Sequence, residues 1–161
     1  MVPLVRPYPQ LKAPIRSNTT QLHRLTLVYS SVKLVHHNVV EKTVWHYASG
    51  GTWTGNLDIN EQVLTMGGSG TSGALRFKVG EDYFCVPMGI DDYKSWCDLV
   101  INLEPKNTAV EIHPTYYDGT NDSIRQKHVQ SINKTAAHGH NIGVQFTTQD
   151  GNNFWFTITI T

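Results

Sequence analysis

Three groups of residues have types and spacings that could do chemistry. The first lies inside Gln62–Phe77, where the seven residues Gly67-Gly68-Ser69-Gly70-Thr71-Ser72-Gly73 are all Gly, Ser or Thr. Such a run has almost no side-chain bulk, and its glycines can take positive φ and let another molecule come close. It offers hydroxyls and backbone N–H groups, which suits a ligand made mostly of hydroxyls. Its plain structural reading is a hairpin loop between the strand-like arms Val63–Met66 and Ala74–Phe77. Gly68 to Gly73 also fits G-x-G-x-x-G, but a dinucleotide site needs a helix directly behind that motif, and Ala74–Val79 alternates like a strand. The Gly-Lys-Ser/Thr ending of a phosphate-binding loop is missing as well.

The second group is the carboxylate pair Asp91-Asp92. Glycoside hydrolysis needs two carboxyl groups about 5–9 Å apart across the scissile bond, which adjacent residues at a helix start do not supply. Capping a helix is their plainer role. The third group is histidine: His36-His37, whose side chains would point to opposite faces of a strand, and His138-Gly139-His140, which could share one side. No nearby cysteine or carboxylate set completes a metal site beside them. No Gly-x-Ser-x-Gly elbow is present. The expectation is a protein without catalysis, cofactor or metal.

The elements that must position these groups follow from the whole chain. Its 161 residues make one domain, with zero formal net charge and a pI near 7.1. Nothing in that balance calls for nucleic acid or an acidic membrane surface, and no apolar run reaches membrane-spanning length. Residues 1–22 read as a Pro-rich arm, disordered or draped over the body or a neighbour. Pro3, Pro7, Pro9 and Pro14 interrupt both a signal peptide and an amphipathic transit helix, so a cytoplasmic location is expected. Cys85 and Cys97 then read as free buried thiols, and the sequons at Asn18, Asn121 and Asn133 as chance matches.

From His23 onward the chain alternates in short strands: Leu25 to Tyr29, Val32–Val35, Val44–Tyr47, Gln62–Met66, Ala74–Val79 and Tyr83–Met88, the last two joined as a hairpin at Gly80-Glu81-Asp82. Tyr93, Trp96, Leu99, Val100 and Leu103 fall at helical spacing, which predicts a helix from Asp92 that Pro105 ends. Thr108–Ile112 alternates as a strand, and a second helix is predicted over Asp122–Ile132. Ala136–His140 reads as a loop. The chain closes with a hairpin of Ile142–Thr147 and Asn153–Thr161 turning at Gln149–Asn152. Its last strand, FWFTITIT, would be an aggregation hazard as an open edge. The fold class is mainly β (α+β): an antiparallel β-sandwich with a helix-loop-helix connection. No internal repeat points to a propeller or a trefoil.

Glu41–Trp53 (EKTVWHYASGGTW), Val63–Phe77 (VLTMGGSGTSGALRF) and Tyr93–Val100 (YKSWCDLV) resemble the strongest blocks of the fungal fruit-body lectins. Pro114–Tyr117 and the Asp150–Asn153 turn fit too. The resemblance covers 23–161 as a lectin domain and leaves the arm 1–22 outside. It implies the actinoporin-like β-sandwich, a cytosolic dimer or tetramer, and metal-independent binding of galactose/GalNAc-type glycans, notably the Galβ1-3GalNAc core disaccharide. By position, the galactose-type site would use Ala48, Ser49, Ser69, Gly70 and Asp92, with Asp91 beside them. The family usually has Asn at Asp92 and often His at Asp91. Asn donates and accepts, whereas ionised Asp only accepts, so a shift toward galactose lacking the acetamido group is expected.

A separate site for N-acetylglucosamine (GlcNAc) is implied at Asp98, Leu99, Ile101, Asn121 and Ile132. The last three stand where the family carries Thr, Arg and Tyr, so that site reads as degraded. Trp53, beside the Gly-Gly loop, is expected near sugar, and Trp45 and Trp96 in the core. The function implied is a multivalent agglutinin of glycans and glycoproteins, with a role in defence. The alternative from the same fold is a membrane-active pore former. That needs an amphipathic N-terminal helix, which the prolines of 1–22 oppose, so no membrane insertion is expected.

Overall fold

The structure, a computed structural model, describes residues 23–28, 38–45, 51–56 and 61–161. The N-terminal arm, the predicted Val32–Val35 strand, His36-His37, Ala48 and Ser49 lie outside the described residues, as does the side chain of Trp45.

The chain forms the antiparallel sandwich expected of it. Ten strands make two sheets among the described residues. One sheet has the order β3-β4-β1-β10-β9-β8: β1 His23–Val28, β3 Thr52–Asn56, β4 Glu61–Met66, β8 Ser131–Thr135, β9 Asn141–Asp150 and β10 Asn153–Ile160. The other has the order β2-β5-β6-β7: β2 Asn38–Trp45, β5 Ser72–Val79, β6 Asp82–Asp91 and β7 Lys94–Cys97. Every pairing is antiparallel except β1 with β10.

Strict alternation builds the core. On β10, Phe154, Phe156, Ile158 and Ile160 face inward and are buried, while Trp155, Thr157 and Thr159 face outward and are half-buried. They meet Leu64, Met66, Leu75, Phe77, Phe84, Val86 and Met88 from β4, β5 and β6. The β-prone last strand is flanked by β1 and β9, which removes the hazard of an open edge. The other face of the four-stranded sheet is covered as well: Ala74 and Cys85 pack with Ala109, Val100, Leu103 and Ile112. Both cysteines are free and buried, and burial pushes each thiol up to about 12.

Four local readings are corrected. The helix expected from Asp92 does not form. Lys94–Cys97 instead pairs with β6, with Cys97 opposite Met88, and the chain then crosses the sheet irregularly, tied by mutual Cys85–Val100 backbone bonds of 2.8 and 2.9 Å. Trp96 and Leu99 are buried without any helix, because a strand followed by a close crossing can inter the same residues. The strand expected at Thr108–Ile112 is a helix, α1 Ala109–Ile112, followed by a 3-10 turn His113–Tyr116. A Thr108–Glu111 capping box and the Glu41 carboxylate, which accepts from the N–H groups of Ala109 and Val110, close its N-terminus. The second helix is shorter than expected: α2 is Asp122–Gln126, and Ile132 belongs to β8. Finally, the small-residue run is not a hairpin loop, since β4 and β5 lie in different sheets. Together α1, the 3-10 turn and α2 form the helical link between the sheets.

Candidate functional site

Residues 67–71 cross from the six-stranded to the four-stranded sheet. Gly70 takes φ +87 there, and its N–H donates to the Ile90 carbonyl at 2.7 Å, while the Ile90 N–H donates to the Thr71 carbonyl at 3.0 Å. The crossing is thereby sewn to the end of β6. The same end turns sharply into β7. Asp91 pairs with Lys94, and the two residues between them, Asp92 and Tyr93, both have positive φ (+47 and +61). That is a two-residue turn of the type that matches strand twist. Asp tolerates the conformation, but a bulky Tyr seldom adopts it. The Tyr93 N–H donates to Ser69 Oγ at 2.9 Å, so the hairpin tip closes on the loop.

Three of the expected residues thus meet: Ser69, Gly70 and Asp92. Asp92 and Tyr93 are exposed, and among the described residues Asp92 has no hydrogen-bond or ion-pair partner. Asp91 is committed elsewhere. It forms an ion pair with Arg125 and lies 3.6 Å from His128 Nε2, with both pair members mostly buried. Neither aspartate caps a helix, because none starts there. Trp53 is half-buried: its Nε1–H donates to the Thr43 carbonyl at 2.8 Å, and its ring lies over Gly73 at the end of the run.

Beneath the loop runs a chain of hydrogen bonds that the sequence reading did not assign. Ser72 Oγ is 2.5 Å from the Tyr117 hydroxyl and 2.8 Å from His113 Nε2, and His113 Nδ1 is 2.8 Å from Thr43 Oγ1. Burial pushes the His113 imidazole down to about 4, so it is neutral, with one nitrogen donating and one accepting. Burial also raises the Tyr117 phenol to about 12. The Arg125 guanidinium sits 5.1 Å over the Tyr117 ring and donates through Nε to the Tyr116 carbonyl at 3.1 Å. Ser72 is buried, so this Ser–His pair is scaffolding and not an accessible nucleophile. The Pro114–Tyr117 block carried the only sequence signal for it.

The His138-Gly139-His140 loop does meet a carboxylate, one distant in sequence. Asp82 accepts from His138 Nδ1 at 2.8 Å, from the His138 N–H at 3.1 Å and from His140 Nδ1 at 2.7 Å. Burial by itself would raise the Asp82 carboxyl, but the His140 and His138 hydrogen bonds outweigh it and hold the group below its ordinary value. Among the described residues no three such side chains are arranged to hold a metal ion.

Residues 24–158 match the family described as fungal fruit body lectin. The chain belongs to that family. It is 44% identical to Boletus edulis lectin over 118 residues, 72% of this chain and 81% of that one. Two crystal structures of Xerocomus chrysenteron lectin share its fold at a TM-score of 0.78. The wild-type chain is 36% identical, covering 88% of this lectin and 100% of itself. A methionine-substituted form is 39% identical, covering 88% and 99%. The protein is therefore a carbohydrate-binding lectin.

The second group of implied residues is taken up largely by internal packing and hydrogen bonds in this lectin. Asp98 is buried and accepts from the Tyr116 hydroxyl at 2.5 Å and from the Leu99 N–H at 2.7 Å. Leu99 is buried, and Ile101 and Ile132 pack half-buried against the core. Asn121 stands before α2, its side-chain amide donating to Thr115 Oγ1 at 2.8 Å.

Proposed function

We propose that this lectin binds galactose-type glycans, Galβ1-3GalNAc among them, without a metal, where the 67–71 crossing meets the Asp92-Tyr93 turn. The Ser69–Tyr93 hydrogen bond carries the reading, because it joins a bulk-free loop to an exposed carboxylate. Ser69 can donate its own hydroxyl hydrogen to a sugar while accepting from Tyr93, and Asp92 can accept from two sugar hydroxyls. Ala48 and Ser49 complete the proposed contacts, and Asp91, held by Arg125, orients the turn from behind. An acceptor-only Asp92 favours galactose over its N-acetylated analogue. Each contact is weak, so the lectin acts as a multivalent, self-associated agglutinin of glycoproteins, made in the cytoplasm and suited to defence. The GlcNAc site is read as degraded, since Asp98 is already satisfied internally and Ile101 and Ile132 bring no polar group.

Calorimetric titration with Galβ1-3GalNAc tests this. Ser69→Ala is expected to abolish binding, and Asp92→Asn to raise the preference for GalNAc over galactose. No heat with a folded sample, or equal binding by Ser69→Ala, sinks the reading. Chitobiose is expected to give no comparable heat.

A further inference from the structure

The outer face of the six-stranded sheet carries a second field of sugar-like chemistry. Along β8, β9 and β10 the register lines up Asn133, Gly143 and Thr159 in one row, and Thr135, Asn141 and Thr161 in the next. The residues that alternate with them, Ile142 and Val144 on β9 and Ile158 and Ile160 on β10, face the core and are buried. Both rows therefore point outward. Their side chains are amides and hydroxyls with no ionisable group. Lys134 also lines the cleft, and its ammonium donates to the Leu99 carbonyl.

The rows are not flat. Gly143 leaves a notch between its neighbours, and the Asn133 amide oxygen leans over it, 2.5 Å from where a Cβ would stand. The cleft that results has a volume of about 260 Å³ and is lined by both rows. That is a little under the range of pockets for drug-sized ligands. It suits one ring of a longer chain. Neighbouring strands set the polar groups roughly 4.8 Å apart, and Thr135 Oγ1 already donates to Asn141 Oδ1 at 2.8 Å, which fixes the orientation of that amide.

We infer that this cleft is a second carbohydrate site, which binds a neutral oligosaccharide through one sugar residue seated over Gly143. It is separate from the loop site: β10 begins at the level of the 67–71 crossing and ends at the cleft, eight residues or roughly 26 Å on. It is separate from the implied GlcNAc residues too, since Ile132 faces the core side of β8 while Asn133 faces out. Two sites at opposite ends of one sheet would let a single protomer bridge two glycans.

The test is amide NMR of the full ¹⁵N-labelled chain titrated with millimolar maltotriose, lactose and N,N′-diacetylchitobiose. At least one is expected to shift the amides of Asn133, Gly143 and Thr161. Gly143→Val fills the notch and displaces only the flexible end of Asn133, so it is expected to keep the fold and abolish those shifts. Ser69→Ala is expected to leave them intact. Absence of shifts with all three sugars, or shifts that survive Gly143→Val, overturns the proposal. So do concentration-dependent shifts at these amides without sugar, which would assign the cleft to a second copy of the chain.

Discussion

The Tyr93 amide donates to the Ser69 hydroxyl at 2.9 Å, across a sequence separation of 24 residues. The donor sits in a turn whose two central residues both have positive φ, and the acceptor sits in a loop that passes between the sheets. The bond holds the hairpin tip against the loop, and it exists only because Tyr93 accepts a conformation that suits glycine better.

That strain is measurable. Tyr93→Gly keeps the N–H and relaxes the turn, so it is expected to stabilise the fold by about 1 kcal/mol in urea denaturation. A loss of stability would mean that the exposed ring contributes packing that outweighs the backbone cost.

Arg125 holds the turn from behind through Asp91, the Tyr116 carbonyl and the Tyr117 ring. Arg125→Ala leaves a mostly buried carboxylate without its partner and is expected to cost about 3 kcal/mol. Arg125→Lys keeps a charge but not the forked geometry and is expected to recover only part of it. Urea melts of both variants decide the point.

His113 makes stability depend on mild acid. Its folded value, depressed to about 4 by burial, lies below the ordinary value of 6.5. The unfolded chain therefore binds a proton first, and stability present above pH 6.5 is lost as the pH falls toward 4. The full shift corresponds to about 3 kcal/mol. His113→Gln keeps a partner for Ser72 and is expected to flatten that pH dependence. An unchanged slope would show that another group governs it.

Asp82 acts at lower pH. Its carboxyl is held below the ordinary value of 3.8, so its contribution is present above that pH and fades as the pH falls further. Asp82→Asn offers one acceptor oxygen to two imidazoles and the His138 N–H. It is expected to lower the melting temperature at neutral pH and to remove this acid limb. An unaltered melting temperature at pH 7 would show that the cluster adds nothing.

Both thiols are buried, with values near 12. Neither is expected to react with a thiol reagent at pH 8 in the folded lectin, and both are expected to react in denaturant. Rapid modification of either in the native state would contradict the packing described.

The sequence by itself determined the sandwich and the hairpins of β5 with β6 and β9 with β10, because alternation such as that over Phe154–Ile160 is a local property of a half-buried strand; the family was legible in its matching blocks. The small-residue run was legible as a hydroxyl-rich surface for the same reason, since residue type alone specifies hydroxyls and amides, whereas the Asp91-Asp92 pair read by type as helix caps and entered the proposed site only through the resemblance. Tertiary structure decided what those groups do. Tyr93, Trp96, Leu99, Val100 and Leu103 are spaced as on a helix, yet cross-strand pairing with β6 claimed Lys94–Cys97 and left the rest to an irregular crossing. Thr108–Ile112 alternates like a strand, yet its capping box and the Glu41 carboxylate, 68 residues away, made it a helix. Asp91 and Asp92 are chemically identical neighbours. Only the fold, by bringing Arg125 to one and solvent to the other, separated a paired carboxylate from an exposed one. Contacts between distant residues set those outcomes, and no local pattern encodes them.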